Sequence, residues 1–515
     1  METSDFFRSR IDAMINLSDP LAVLAKGLPW DLIEAAVAAK FERLNRSGQS
    51  LDGTDLFGPT AVVVGGGISA AGRPKLPIRL MASLVYLKNC FNLSDEELCC
   101  RWSENILWQF FSGMDYDEHR LPCDATQIGR FRRALGEDGL EQLLKATIDT
   151  AVAIKAVRPT ELERVIVDTT VQEKAIAHPV DSRLLEIARH KVASAAKRAG
   201  IQLKQTFAKE GKTLRRMAGG YAEPGLKLSS GQFVPGEGVG PKAQRGLQGH
   251  AKQFRRLKKV VNRQRTILGV VMREVQRKID AMEQALPEGA KPFAQPASRP
   301  ALPALMMWME RAERIRTQQK KDKRKLYALH APEVECIGKG KARKPYEFGV
   351  KAAIVVSHKT GLMMGARTFT GNPFDGHILS AVIEQATNLV QDLPVKIKQI
   401  VVDLGFRGVD EDNPGMEIID RGKIKSLSRQ QKKWLRRRQA VEPAIGDLKS
   451  DHRMDRCWLQ GTLGDALHAV SCAAGYNLRW LLRAVADLQA KAAARMHVQV
   501  ELSSSTVGVI PRAAT

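Results

Sequence analysis

Two short apolar runs, each closed by an aspartate, constrain this chain more than any other feature of it. Val165, Ile166 and Val167 precede Asp168 in RVIVDTT, and Ile400, Val401 and Val402 precede Asp403 in IKQIVVDLGFRG. Short runs of β-branched residues predict strands. An acid placed directly after such a run stands at or near a sheet edge, where it can point into a site. Side by side, two such strands bring two carboxylates together. Bare carboxylates repel, and one takes up a proton unless a cation is present. A divalent ion with oxygen ligands, of the magnesium kind, resolves the repulsion. One strand-end aspartate is more often a turn former or helix cap, so it is the pair that points to metal chemistry.

A third acid strengthens that pointer. Glu442 lies in WLRRRQAVEPAIGDLKSDHRM, a stretch with a helical pattern. Arg438 is four residues before it and Lys449 seven after, so the spacing places all three on one helix face. Glu is a metal ligand type, and Arg and Lys bind phosphate oxygens. The plain alternative is a surface salt-bridge stripe. Pro443 either kinks this helix or marks its first turn.

The remaining text sorts into blocks. Residues 1–72 read as a helical lead-in and linker, with DLIEAAVAAKFERLN before the Gly-rich VVVGGGISAAGRP. Residues 73–150 read as an all-α N-terminal domain. PIRLMASLVYLKNCF is a helix ending at Asn92, Ser94 and Glu97 form a capping box, and a helix from Asp124 through IGRFRRALG ends on Gly136. These short helices are either a helix-turn-helix DNA reader, with Arg130, Arg132 and Arg133 facing phosphates, or a packing or dimerisation domain. Further strands are expected at YEFGVKAAIVVSH, LMMGARTFTG and IKSLS. Helices are expected from Ser428 to about Lys449 and from Leu463 to about Ala486, with residues 488–515 a flexible tail. The core thus comprises residues 160–182 and 333–487.

Between its two parts lies a basic helical insertion, residues 183–332. It opens with LLEIARHKVASAAKRAGIQLKQTF, and residues 218–249 read as a loop. A long helix follows, with Phe254, Leu257, Val261, Leu268, Val271, Val275 and Met282 near a 3.5-residue spacing. A Pro-rich break and a last basic helix ending in RTQQKKDKRKLYALH complete it. The insertion is a DNA-tracking or dimerising arm, or else a solvated charged face.

Charge selects the class of partner. Lys and Arg total 80 against 56 Asp and Glu, a net charge of +24, which favours an anionic polymer. No uncharged apolar run approaches the roughly 18 residues of a membrane span, so nucleic acid is preferred to a membrane surface. The 7 cysteines are odd in number and show no CxxC spacing, which argues against a zinc site or a disulfide framework. With no signal-peptide core in METSDFFRSR, the expected location is a reducing cytoplasm.

Four stretches together resemble the bacterial insertion-sequence transposases of the DDE type, in the insertion-sequence-five group, related to the insertion-sequence-four superfamily. They are GRPKLPIRLMASLVYLKNCFNLSDEEL with IGRFRRALG; VIVDTTVQEKAIAHPVDSRLL; GKARKPYEFGVKAAIVVSHKTGL through GNPFDGH; and VVDLGFRG with RRRQAVEPAIGDLKSDHRMDRCWLQGTLGDALHAV. The resemblance implies an α/β protein whose catalytic core is an RNase H-like mixed sheet. In that fold the first Asp lies on the first strand, the second on the fourth, and the Glu on a following helix. Asp168, Asp403 and Glu442 are then the catalytic and metal-binding set, with two Mg2+ ions expected, or Mn2+. The related families carry Tyr, two residues, Arg, three residues, Glu, six residues, Lys. Arg438, Glu442 and Lys449 fit it. Leu435 stands at the Tyr position, and Trp434 beside it offers a ring for base stacking.

The implied activity is cleavage at insertion-sequence ends and transfer of the 3′-hydroxyl into target DNA. Its implied partners are double-stranded DNA, as terminal inverted repeats and target, and a second copy or higher oligomer on DNA. Arg407 in GFRG is a further phosphate contact. His452 and Arg453 are candidate site-lining residues, whereas His377 reads as structural. The alternatives are a non-catalytic DNA-binding protein derived from a transposase, and a nuclease of the same fold. If phosphate contacts dominate, duplex affinity falls by orders of magnitude between about 50 and 200 mM salt. A filter-binding titration across that range checks this, and a flat response would contradict it.

Overall fold

The structure, a computed structural model, describes residues 8–41, 54–55, 58–59, 76–222, 243–284, 301–319, 321–338, 345–406 and 415–506. The chain divides into two compact units, residues 1–172 with 351–515, and residues 173–350. The main strands are β1 (Arg164–Glu173), β2 (Glu335–Gly338), β3 (Tyr346–Ser357), β4 (Met363–Phe369), β5 (Gln399–Val401) and β6 (Glu417–Ile419). The helices before β1 are α1 (Ile11–Met14), α2 (Pro20–Gly27), α3 (Trp30–Ala38), α4 (Ile78–Cys90), α5 (Asp95–Ser103), α6 (Ile106–Phe111) and α7 (Ala125–Ala153). After β1 come α8 (Asp181–Arg198), α9 (Ala208–Ala222), α10 (Ala243–Gln284) and α11 (Ala301–Thr317). The last four are α12 (Leu379–Leu389), α13 (Arg429–Arg437), α14 (Val441–Ser450) and α15 (Gly461–Thr506).

In the first unit the sheet order is β4-β3-β1-β5-β6. β4 runs antiparallel to β3. The amide of His358 donates to Arg164 at one end of β3 and that of Lys174 to Phe348 at the other, so β3 is antiparallel to β1. β5 is parallel to β1, and β6 to β5. This mixed α/β sheet shares one continuous core with the N-terminal helices, α12 and α15. The helices at 78–153 therefore do not close a separate core. Asn477 ties three elements together inside it, donating to Met363 O and Thr147 Oγ1 at 2.9 Å each while the Met363 amide donates back to Asn477 Oδ1. Such a fully satisfied buried amide fixes one arrangement of α15, β4 and α7.

The second unit has its own core, in which Leu184, Leu185 and Val192 of α8 meet Leu268, Val271 and Val275 of α10 and Leu305 and Ile315 of α11. β2 pairs antiparallel with the start of β3. A buried ion pair joins Lys174 to Glu333 at 2.8 Å. The buried stripe of α10 runs through Val260, Ile267, Leu268, Val271, Val275 and Ile279, while Phe254 and Met282 are exposed. Arg255, Arg256, Lys258, Lys259, Arg273 and Arg277 stand on its exposed side.

Several boundaries differ from the sequence expectation. IKSLS is a turn leading into α13; the strand is β6, where Ile418 and Ile419 pair with Ile400 and Val401. The helix expected from Ser428 to Lys449 is two helices with a 3₁₀ turn at Arg438–Ala440 between them, and Pro443 stands in the first turn of α14. Gly136, at φ 67°, ends one helical segment, but the chain resumes at once, so α7 continues to Ala153. Parts of the expected loop at 218–249 are helical in α9 and α10, and the basic text after Thr317 is not helical. The expected tail is largely helix, since α15 reaches Thr506, carried by the strong helix formers of DLQAKAAARM.

Gly475 marks the closest approach within the first unit. A methyl group there would lie 2.5 Å from Asn89 Cβ and 2.8 Å from the Cys90 backbone nitrogen, so α4 and α15 cross with no room for a side chain. Gly475→Ala should destabilise the protein by about 1–3 kcal/mol, the usual cost of overpacking. Urea unfolding measures it, and an unchanged midpoint would contradict the crossing.

Candidate active site

β1 and β5 align Arg164 with Gln399, Val165 with Ile400 and Ile166 with Val401. β1 continues through Asp168 to Glu173, whereas β5 ends at Val401, two residues before Asp403. The alternation of strand side chains puts Asp168 on the face of Ile166. The apolar residues that set this register are sealed: Val165, Ile166, Val167, Ile400, Val401 and Val402 are at most 1% exposed. Both acids are half-buried. Asp168 Oδ1 accepts from the Thr169 amide at 2.8 Å, and Asp403 Oδ1 from the Gly405 amide at 2.8 Å. Each carboxylate is thus oriented by a backbone amide one or two residues along the chain.

α14 is anchored by Val441, Ala444 and Leu448, all within the main core. Pro443 and Ala444 line a cleft together with Ile166, so this helix lies over the face that carries Asp168. Glu442 stands exposed at its start and makes no hydrogen bond or ion pair among the described residues. Arg438, in the 3₁₀ turn just before, reaches the sheet: its Nη1 is 3.2 Å from Asp168 Oδ2, and both side chains are largely buried. Among the described residues, no group of three or more acidic, His or Cys side chains is gathered closely enough to hold a metal ion. The donor chemistry nevertheless suits a hard cation, since Asp168, Asp403 and the exposed Glu442 offer only carboxylate oxygens.

Two residues that the sequence reading did not single out border this site. Asp375 lies in GNPFDGH, and Lys351 lies on β3. Lys351 Nζ is 2.8 Å from Asp375 Oδ1 and 2.5 Å from the Pro373 carbonyl oxygen. Nothing local in the sequence announces this pair, because its partners are separated along the chain and meet only through the sheet.

The other expected residues are scattered. Lys449 is half-buried near the end of α14. Trp434 lies under the Arg164 guanidinium, 3.3 Å from the ring centroid, and its carbonyl meets His358 Nε2. Its ring is therefore already stacked within the fold. Arg407 lies outside the described residues. Arg130 and Arg133 are exposed, but Arg132 is buried beside Asp95 at 3.9 Å, so the three arginines do not face phosphates together. His452 and Arg453 do not line the site: the His452 ring hydrogen-bonds the Asn89 carbonyl and Arg453 donates to that of Asn92. His377 is exposed, with its ring edge on Phe374.

Residues 9–134 match the family described as "Transposase domain (DUF772)", and residues 312–478 match "Transposase DDE domain". The class is therefore a DDE transposase of the insertion-sequence kind, an enzyme of mobile elements that binds DNA. The chain is 40% identical over 219 residues to "Uncharacterized protein ORF8 in nfe locus" of Rhizobium meliloti, 42% of this chain and 93% of that protein, and belongs to the same family. No solved structure matches it. No helix among the described residues is long and apolar enough to cross a membrane.

The relocated histidines carry a consequence of their own. Burial pushes His452 down to about 4 and His468, whose ring meets the Arg453 carbonyl, down to about 3. Unfolded, both take up protons near pH 6.5. Below that pH the unfolded chain binds more protons than the folded one, so stability is lost as pH falls from about 6.5 toward 4. The loss from pH 7.5 to 5 should be up to about 2 kcal/mol per histidine. His468→Gln, which keeps a donor in place, should flatten that loss in urea titrations at the two pH values. A wild-type slope in the variant would contradict the assignment.

Proposed function

We propose that this transposase cuts insertion-sequence ends and joins the freed 3′-hydroxyl to target DNA at a centre formed by Asp168, Asp403 and Glu442. The observation that supports the reading is the parallel register of β1 and β5, in which the two paired runs each lead toward one of the two aspartates. The core is RNase H-like in this reading. In its support, β3 and β4 alternate in direction beside β1, β5 and β6 run with it, and Asp403 follows the fourth strand of the first unit.

The three carboxylates would hold Mg2+ or Mn2+, two ions being expected. Bound there, the metal would ready water or a 3′-hydroxyl for attack and offset charge on the leaving oxygen. The protein's own part is positioning. The Thr169 and Gly405 amides aim Asp168 and Asp403. Arg438 now neutralises Asp168, and it must release that oxygen for a cation to take it. A scissile phosphate is the natural new partner for its guanidinium, with Lys449 further along α14 as a second phosphate contact. Arg130 and Arg133 on the N-terminal helices, the Arg407 segment and the basic face of α10 would hold DNA outside the centre. A second copy of the chain would complete the assembly on paired ends.

Asp168→Ala, Asp403→Ala and Glu442→Ala should each abolish Mg2+-dependent cleavage and strand transfer while retaining end binding. Arg438→Ala and Lys449→Ala should weaken phosphate positioning instead. Gel assays on terminal-repeat duplexes measure both, and precut ends separate joining from simple hydrolysis. Normal cutting by any one of the three acid variants removes that residue from the centre.

A further inference from the structure

We propose that Asp375, held by Lys351, is a positioning residue that sets the Asp403 carboxylate for metal; this rests on reading Asp403 as a metal ligand. Asp375 opens a 3₁₀ turn, Asp375–Ile378, and Asp403 immediately precedes another, Leu404–Phe406. The two turns pack against each other. Lys351 fixes the first through two bonds, at 2.8 Å to Asp375 Oδ1 and 2.5 Å to the Pro373 carbonyl oxygen. The second oxygen of Asp375 faces Gly405.

Gly405 is where the two turns meet most closely. A methyl group on it would lie 2.8 Å from Asp375 Oδ2 and 3.0 Å from Asp403 Oδ1. Both carboxylates therefore flank one α-carbon, closer than any side chain there would allow. The Gly405 amide in turn donates to Asp403 Oδ1 at 2.8 Å. The Asp375 carboxylate thus borders the residue whose amide orients Asp403.

Electrostatics explains why the device is a salt bridge and not a lone acid. Two carboxylates this near each other repel. The Lys351 ammonium, in a site only 13% exposed, offsets the charge of Asp375, so its carboxylate can brace the turn without driving Asp403 away. It also engages one Asp375 oxygen, which leaves Asp375 poorly placed to serve as a ligand itself. Groups that orient a ligand in this way affect metal affinity about 10- to 100-fold.

The test is Mn2+ binding to the full chain without DNA, followed by electron paramagnetic resonance, alongside cleavage as a function of Mg2+. Asp375→Ala should weaken Mn2+ about tenfold and raise the Mg2+ needed for half-maximal cleavage by a similar factor. End affinity and the rate at saturating Mg2+ should stay near wild type. Asp375→Asn, which keeps the shape but loses the ion pair, should also weaken Mn2+ and guards against misfolding of the alanine variant. Gly405→Ala should weaken Mn2+ too, and the double variant should be no worse than Gly405→Ala alone, since the methyl then fills space vacated by Asp375. Wild-type Mn2+ binding in Asp375→Asn, or effects that simply multiply in the double variant, would overturn the proposal. Asp403→Ala separates the two levels: if it also binds Mn2+ normally, the metal centre itself is misassigned, whereas its loss beside an unaffected Asp375→Asn sinks only this inference.

Discussion

The structure depends most on the parallel pairing of β1 with β5. Only three residue pairs define it, yet a slip of one residue would turn Asp403 to the opposite face of the sheet from Asp168. The register is held by burial, not by length. Val165, Ile166, Val167, Ile400, Val401 and Val402 all lie in the main core, so the pairing joins two runs that are both sealed from water. A parallel pair also needs a long connection. Here that connection carries β3, β4 and α12 together with the whole second unit, and the chain still closes the same register.

Backing from α15 makes the short pairing sufficient. Its apolar residues run from Leu467 to Val485 through the same core, and Asn477 bonds to both β4 and α7. The N-terminal helices are thereby part of what keeps the sheet rigid. That arrangement suits a site whose acids must be preset, because loose carboxylates would spread apart under their own repulsion.

What the sequence disclosed follows from how local each signal is. The strands β1, β3, β4 and β5 were legible because their apolar runs lie within a few consecutive residues, but Asp168 does not close β1, which continues to Glu173, and β5 stops before Asp403. The core of α10 was legible from its periodicity, although the ends of the stripe were not, since Phe254 and Met282 continue the pattern without anything to pack on. β6 was missed because three residues, Glu417–Ile419, carry too little pattern to outweigh IKSLS nearby. Helical spacing placed Arg438, Glu442 and Lys449 on one face, but it assumed an unbroken helix. The 3₁₀ turn at Arg438–Ala440 instead swings Arg438 to Asp168 and leaves Glu442 exposed. Arg132, Trp434 and His452 were read as surface groups by residue type, and tertiary packing gave each a partner inside the fold.

The Arg438–Asp168 pair gives the proposed centre a charge balance in both of its states. Without metal, the guanidinium supplies the positive charge that Asp168 needs beside Asp403. Were Asp168 to hold a divalent ion, that role would fall to the cation, and the guanidinium would be free to bind an anion near α14. A phosphodiester is such an anion, and Arg binds it with two parallel donors. In the proposed reading a phosphodiester would compete with Asp168 for this arginine, and a carboxylate so released would be available to a cation. A lysine would serve this exchange less well, because its single point charge lacks the fork that makes the phosphate a competitive partner. The 3₁₀ turn matters to that exchange because its first residue, Arg438, is the one that meets Asp168.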